Sequence, residues 1–188
     1  MIITASGLPG AGKSTITGRL ADELGYEFYN MGRLFRDVAK KRNMTLVEYL
    51  EYGEQHPEVD TEMDDYQKEL GETKDNFIID SRMGWYFIPQ SIKVFFSVEP
   101  RVGAERIFQD LQKSNDRNEG TDHETVEDVI KTQERRMNTD SKRYLELYDI
   151  NPFDHAHHDI VVDTTDKTPD EVFQETLKKL QPFLTKKS

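Results

Sequence analysis

The stretch Gly7-Leu8-Pro9-Gly10-Ala11-Gly12-Lys13-Ser14 constrains this chain more than any other, because it spells the pattern G-x-x-x-x-G-K-S in full. Such a loop binds phosphate only between a buried strand and the first turn of a helix. Both flanks are present. Ile2-Ile3-Thr4-Ala5 is a short apolar, β-branched run of the kind buried in a parallel sheet. From Lys13 to Leu24 the apolar positions Ile16, Leu20, Ala21 and Leu24 recur at helical spacing, and Gly25 can end the helix. The glycines let backbone N–H groups close around a polyphosphate, and the helix N-terminus adds free donors and a favourable dipole. Gly7, Gly10, Ala11, Gly12 and Thr15 are the expected cradle. Lys13 would reach the β- and γ-phosphates, and the Ser14 hydroxyl would ligate Mg²⁺. A chance glycine-rich turn would lack these flanks, so a nucleoside triphosphate is the expected ligand.

A chain of 188 residues fits one compact domain with a sizeable core, and no repeat or linker divides it. It opens directly on strand residues, so no secretion leader is expected, and no apolar run approaches the roughly eighteen residues of a membrane span. The absence of cysteine excludes disulfides and thiolate metal sites and suits a reducing cytoplasm, the expected location. A net charge of −11 repels DNA, RNA and anionic membranes. A mononucleotide can still be held wherever arginines gather, and a monomer is expected.

Along the chain, strands are expected at Tyr26 to Met31, Phe77 to Asp80, Ile92 to Val98 and Ile160 to Asp163. Helices are expected at 32–41, from the capping-box spacing at Thr45 to about Gln55, at 58–72 beyond the break at Pro57, at 100–111, at about 124–148 and at 169–184. Residues 112–122 are polar and read as a loop. Strands alternating with helices specify a three-layer α/β domain with a mostly parallel sheet.

The largely helical segment at about 32–72 is longer than a strand crossover needs, which suits it to gripping a second substrate beside the γ-phosphate; extra packing is the plainer alternative. Arginines bracket it, Arg33 and Arg36 before and Arg82 after, and planar guanidinium forks match phosphate. Asp80 ends an apolar strand, where a carboxylate would hold Mg²⁺ directly or through water, or would simply cap a turn. Arg136, Asp140 and Arg143 share one helix face, either as a grip on phosphate and ribose or as a solvated ion-pair ladder. The 101–123 stretch offers Arg101, Arg106 and Arg117 as lid candidates, with the lid itself expected at about 108–123. Phosphoryl transfer needs positive charge and exclusion of water, not a covalent nucleophile, so the lack of a His or Ser dyad is no obstacle.

At this level of detail the chain resembles the short archaeal cytidylate kinases, within the nucleoside monophosphate kinases. IITASGLPGAGKST, GYEFYNMGRLFRDVAKKRNMTLVEY, HPEVDTEMDDYQKEL, IIDSRMGW, AERI and RMNTDSKRYLELYDIN carry the resemblance, over most of residues 2 to 163. It implies a P-loop kinase fold: a five-stranded parallel sheet in the order 2-3-1-4-5, a helical acceptor-binding insertion and a short lid. It implies MgATP-dependent phosphorylation of CMP or dCMP. Arg36 and Arg82 match arginines that hold the acceptor phosphate; Arg136, Asp140 and Arg143 match a motif on acceptor phosphate and sugar. Asp64 and Gln67 match the acceptor-binding insertion, and AERI puts Arg106 first among the lid arginines. Lys13, Arg82, Arg106, Arg136 and Arg143 form the implied catalytic set. The chain departs from the family's usual residues at Ser81, where glycine is usual, at Gly103, where arginine is frequent, and near Asp110, where a basic residue is usual.

Those departures keep a different acceptor open: AMP, UMP or a small metabolite. A kinase-like ATPase acting as an assembly factor is a second alternative; GTPase switching lacks an N-K-x-D motif. His155, His157 and His158, flanked by Asp154 and Asp159, are too closely spaced for a tetrahedral metal site and read as a loop. Trp85 is expected either to stack on a base or to pack beneath the Arg82 turn.

Overall fold

The five apolar runs pair into one parallel sheet in a computed structural model that describes residues 1–113 and 123–185. The strands β1 (Ile2–Gly7), β2 (Glu27–Asn30), β3 (Phe77–Asp80), β4 (Ile92–Ser97) and β5 (Ile160–Asp163) lie in the order β2-β3-β1-β4-β5. Register sets Ala5 and Asn30 against Asp80, and Gly7 against Phe96. Because every strand runs the same way, the carboxyl ends that carry Gly7, Asn30 and Asp80 meet at one edge of the sheet. In open α/β sheets that edge is where ligands bind.

Alternation along the strands divides the core into two layers. Ile3, Ala5, Ile78, Val94, Phe96, Ile160 and Val162 face α1 (Lys13–Leu24) and α8 (Pro169–Leu184), which contribute Ile16, Leu20, Val172, Phe173 and Leu180. Phe77 and Ile79 face the other way, toward α2 (Met31–Lys41), α4 (Pro57–Thr73), the single turn α5 (Gly84–Phe87) and α7 (Val126–Tyr148). The interior strand β3, between β2 and β1, is buried along its whole length, which is why its sequence reads as a nearly unbroken apolar run. The α3 helix (Leu46–Gln55) extends the second layer through Tyr49, and α6 (Pro100–Lys113) packs Ile107 against Val129 of α7.

Local chemistry sets the ends of these elements. Gly25 closes α1 in the left-handed conformation, at φ 66°. Capping boxes at Thr45–Glu48, Thr125–Asp128 and Thr168–Glu171 open α3, α7 and α8. Three boundaries differ from expectation. The second strand stops at Asn30, whose side chain caps α2 by accepting from the Arg33 N–H at 2.7 Å. Pro57 marks the expected break between α3 and α4, but it belongs to the first turn of α4, one residue earlier than expected, where a missing N–H costs nothing. The α5 turn was not foreseen; it begins where Ser81 Oγ accepts from the Gly84 N–H at 3.1 Å. In the expected lid, residues 108–113 belong to α6, while 114–122, Arg117 included, lie outside the described residues.

The three histidines lie against aromatic rings, and among the described residues no group of three or more His, Cys, Asp or Glu has the arrangement of a metal site. His157 stacks flat on Trp85 at 5.2 Å, and His158 lies edge-on to Phe95 at 5.1 Å. Trp85 itself is buried under the Arg82 turn, away from the cavity described below. His158 Nε2 meets Ser6 Oγ at 2.6 Å, and burial pushes the His158 pKa down to about 4. The folded chain therefore favours the neutral ring. Above pH 6.5 both states are neutral and the contribution to stability is complete; between 6.5 and about 4 the unfolded chain takes up a proton that the folded chain refuses. Wild-type urea midpoints should fall through that window more steeply than those of His158→Gln. Parallel pH profiles for the two proteins would refute this origin.

Candidate active site

The phosphate-binding loop is shaped by backbone packed against backbone. Gly7 (φ 140°) and Gly10 (φ 75°) both adopt conformations that side chains rarely tolerate. A Cβ on Gly7 would lie 2.1 Å from the Phe96 carbonyl oxygen, and one on Gly10 would lie 2.2 Å from that of Gly103. Leu8 N–H ties the loop to β4 by donating to Phe96 O at 2.9 Å. The loop delivers the chain into α1 at Gly12, which is also left-handed, so that Lys13 and Ser14 begin the helix. Lys13 Nζ donates to the carbonyls of Gly7 at 3.1 Å and Leu8 at 2.9 Å, which places its ammonium across the mouth of the loop.

Beside the loop, three elements converge on one carboxylate. Ser14 Oγ donates to Asp80 Oδ2 at 2.5 Å, and Asn30 Nδ2 reaches both Ser14 Oγ (2.9 Å) and Asp80 Oδ2 (3.1 Å). Hydroxyl and carboxylate oxygens are hard donors and fit Mg²⁺, which takes few protein ligands and completes its shell with water and substrate phosphates. Asn30 was missed from the sequence; a polar residue ending a strand carries no periodic signal.

A cavity of about 490 Å³ runs from this loop to the second arginine group. It brings together Gly7, Gly10, Gly12, Lys13, Ser14, Thr15, Arg36, Gln67, Asp80, Arg82, Arg106, Arg136, Asp140 and Arg143. Ala11 is not on its wall; it is buried with the α1 core. Asp64 is not on its wall either: it is buried and accepts a hydrogen bond from the Tyr148 hydroxyl, linking α4 to the end of α7. Sequence reasoning also missed Ser81, Gln133 and Tyr144, which tertiary contact alone brings to the wall.

The ladder reading of the late arginines gives way to a shared counter-ion. Asp140 is 3 % exposed and ion-paired with Arg82 from the β3 turn, and it accepts from Arg143 at 3.3 Å. Arg82 also lies 5.0 Å over the Phe153 ring, and Arg143 lies 4.8 Å over Tyr144. Desolvation, then the charge of Arg136, pushes the Arg82 pKa down to about 9, with Arg143 acting in the same direction. Guanidinium groups from the β3 turn and α7 are thus gathered on one wall of the cavity, an arrangement whose planar forks suit phosphate.

Arg106 is placed differently from a lid arginine that closes over phosphate. Its guanidinium donates to Thr164 O (2.7 Å), Thr165 O (3.1 Å) and Thr164 Oγ1 (3.1 Å), bracing α6 against the turn after β5. Gly103 has an equally plain reason. A Cβ there would sit 2.6 Å from Pro9 O, so α6 can approach the loop only without a side chain, arginine or any other. Asp110 lines the cavity from the same helix.

A family model described as "AAA domain" matches residues 6–131. Among curated proteins, the cytidylate kinase of Pyrococcus furiosus is 38% identical over 175 residues, which cover 92% of this chain and 84% of that protein. The cytidylate kinase of Thermoplasma volcanium is 36% identical, with 92% and 87% covered. Among solved structures, the shikimate kinase of Aquifex aeolicus aligns with a TM-score of 0.58 at 23% identity over 98% of this chain and 99% of that one. Acinetobacter baumannii shikimate kinase, in complex with shikimate, gives 0.61 at 18% over 99% and 94%. These two structures share the fold. Gly103→Ala should force the loop and α6 apart and weaken ATP binding on the order of tenfold while the chain stays folded. Titration calorimetry against ATP checks it, and wild-type affinity would refute the contact's importance.

Proposed function

Since the chain belongs to the cytidylate kinase family, we propose that it transfers the γ-phosphoryl group of ATP to a nucleoside monophosphate, CMP or dCMP, with Mg²⁺. One observation carries the assignment: a single cavity joins the phosphate-binding loop to Arg36, Arg82, Arg136 and Arg143. Two anion-binding regions within one enclosure are what a donor triphosphate and an acceptor phosphate require. A nucleotide hydrolase would need only the first.

In this reading Lys13 and the loop N–H groups hold the ATP phosphates, while Ser14 and Asp80 hold Mg²⁺, with Asn30 orienting both. The metal supplies charge neutralisation at the β- and γ-phosphates. Arg36 and Arg82 hold the acceptor phosphate, and Arg136 and Arg143 compensate the charge that spreads over the transferring group. Asp140 holds Arg82 and Arg143 in place and takes the acceptor sugar hydroxyl. The acceptor phosphate is already an anion at neutral pH, so no side chain need remove a proton. Arg106 serves by fixing α6 to the turn after β5, beside the loop. The chain works as one kinase domain over 1–188, its insertion at about 32–72 closing on the acceptor, as a cytoplasmic monomer. Among the described residues no helix is long and apolar enough to cross a membrane.

Lys13→Ala should lower kcat by on the order of 10²–10³ with the urea midpoint nearly unchanged, since a half-exposed ammonium at a loop contributes little to packing. Turnover near wild type would remove the ATP site. Arg82→Ala and Arg143→Ala should each raise the acceptor KM and lower kcat, tens-fold in kcat/KM for a charge-assisted contact worth on the order of 2 kcal/mol. ATP affinity without acceptor should change little. A coupled assay varying CMP at saturating MgATP decides; wild-type kcat/KM in both variants would show that the acceptor site lies elsewhere.

A further inference from the structure

Ser81 and Gln67 face each other across the acceptor side of the cavity, one on the β3 turn and one on α4, and both are buried. The Ser81 hydroxyl oxygen accepts from the backbone N–H groups of Met83 (3.3 Å) and Gly84 (3.1 Å). Both of its lone pairs are thereby engaged, so its single proton can go only to the remaining partner, Gln67 Oε1. That bond settles which way the amide points. The carbonyl oxygen faces the turn, and Nε2 faces away, giving one proton to Met63 O at 3.2 Å. The second Nε2 proton is what Gln67 can offer to a ligand. Phe35 and Leu46 line the same cavity and supply an apolar wall on which a flat ring can lie.

From this geometry we infer that Ser81 is a positioning residue for base selection: it locks Gln67 as a hydrogen-bond donor, so the acceptor base must present an unprotonated ring nitrogen. This rests on the nucleoside monophosphate kinase reading above. Cytosine meets the requirement, because its N3 is an acceptor. Uracil does not, because its N3 carries a proton that would meet the Nε2 proton head-on. An unlocked glutamine would serve either base, since rotating the amide by half a turn exchanges donor for acceptor. A buried donor that meets a donor is penalised more than a missing bond, and such mismatches are what make polar sites selective. Specificity for cytosine over uracil thus resides partly in a serine that need not touch the base.

The test measures kcat/KM for CMP and for UMP in wild type, Ser81→Ala and Gln67→Glu. Wild type should favour CMP. Ser81→Ala should lower the CMP-to-UMP ratio about fivefold, the fold-change of one neutral hydrogen bond. Gln67→Glu, which has no donor, should lower the same ratio at least as far even if Ser81→Ala folds poorly. Loss of the turn's support alone would slow both acceptors equally and leave the ratio unmoved, so an unchanged ratio in Ser81→Ala together with Gln67→Glu overturns the inference while leaving the kinase reading intact. A wild type that uses CMP and UMP equally also overturns it. A wild type that phosphorylates no nucleoside monophosphate overturns the kinase reading itself, and this inference with it.

Discussion

Contact between bare backbones on both sides of the phosphate-binding loop sets the position of everything else in the site. Gly7 lies against β4 and Gly10 against Gly103 of α6, at distances where no Cβ fits. Glycine is required there for its small size as much as for its positive φ. With the loop clamped in that way, α1 starts at a fixed point, and Lys13 and Ser14 have no choice of location. Ser14 then meets Asp80 and Asn30 because β1, β2 and β3 are adjacent and end together. Arg106 completes the clamp from the far side by holding the carbonyls of Thr164 and Thr165.

The electrostatics run against the composition. A chain with a net charge of −11 concentrates Arg36, Arg82, Arg136 and Arg143 around one cavity. Gathering guanidinium groups is unfavourable in itself; burial first, and then the charge of Arg136, depresses the Arg82 pKa. Asp140 makes the cluster tolerable, and the faces of Phe153 and Tyr144 receive two of the cations. Asp80 and Asp110 share the cavity with Asp140, and the guanidinium forks present a geometry that suits phosphate. The acidic remainder of the surface disfavours polyanions, which would otherwise compete for the same arginines.

Two positions singled out in the sequence, Gly103 and Ser81, have structural roles. Gly103 permits the approach of α6 to the loop. Ser81 opens the α5 turn and also reaches across to Gln67. A glycine at 81 could shape the turn but could make neither contact. The two residues act on different substrates of the proposed reaction, one beside ATP and one beside the acceptor base.

Much was legible in the amino-acid order alone. The strand–loop–helix context of Gly7 to Ser14, the strand ends at Asp80 and Asp163, the capping box at Thr45 and the common face of Arg136, Asp140 and Arg143 are all local patterns, and local patterns follow from backbone geometry over a few residues. Resemblance added the strand order, which the structure has, and the residues proposed for the acceptor. What the order of residues could not supply was which groups meet across long separations. Asn30 beside Ser14 and Asp80, Arg82 on Asp140, Tyr148 on Asp64 and Ser81 on Gln67 join residues 14 to 84 positions apart. Arg106 had the features of a mobile lid arginine until packing placed it on the turn after β5. A hydrogen bond depends on distance and direction in space, and periodicity along the chain carries neither. The sequence by itself determined that a phosphate would be bound and on which layers; only the tertiary structure decided which side chains face that phosphate and which are held by one another.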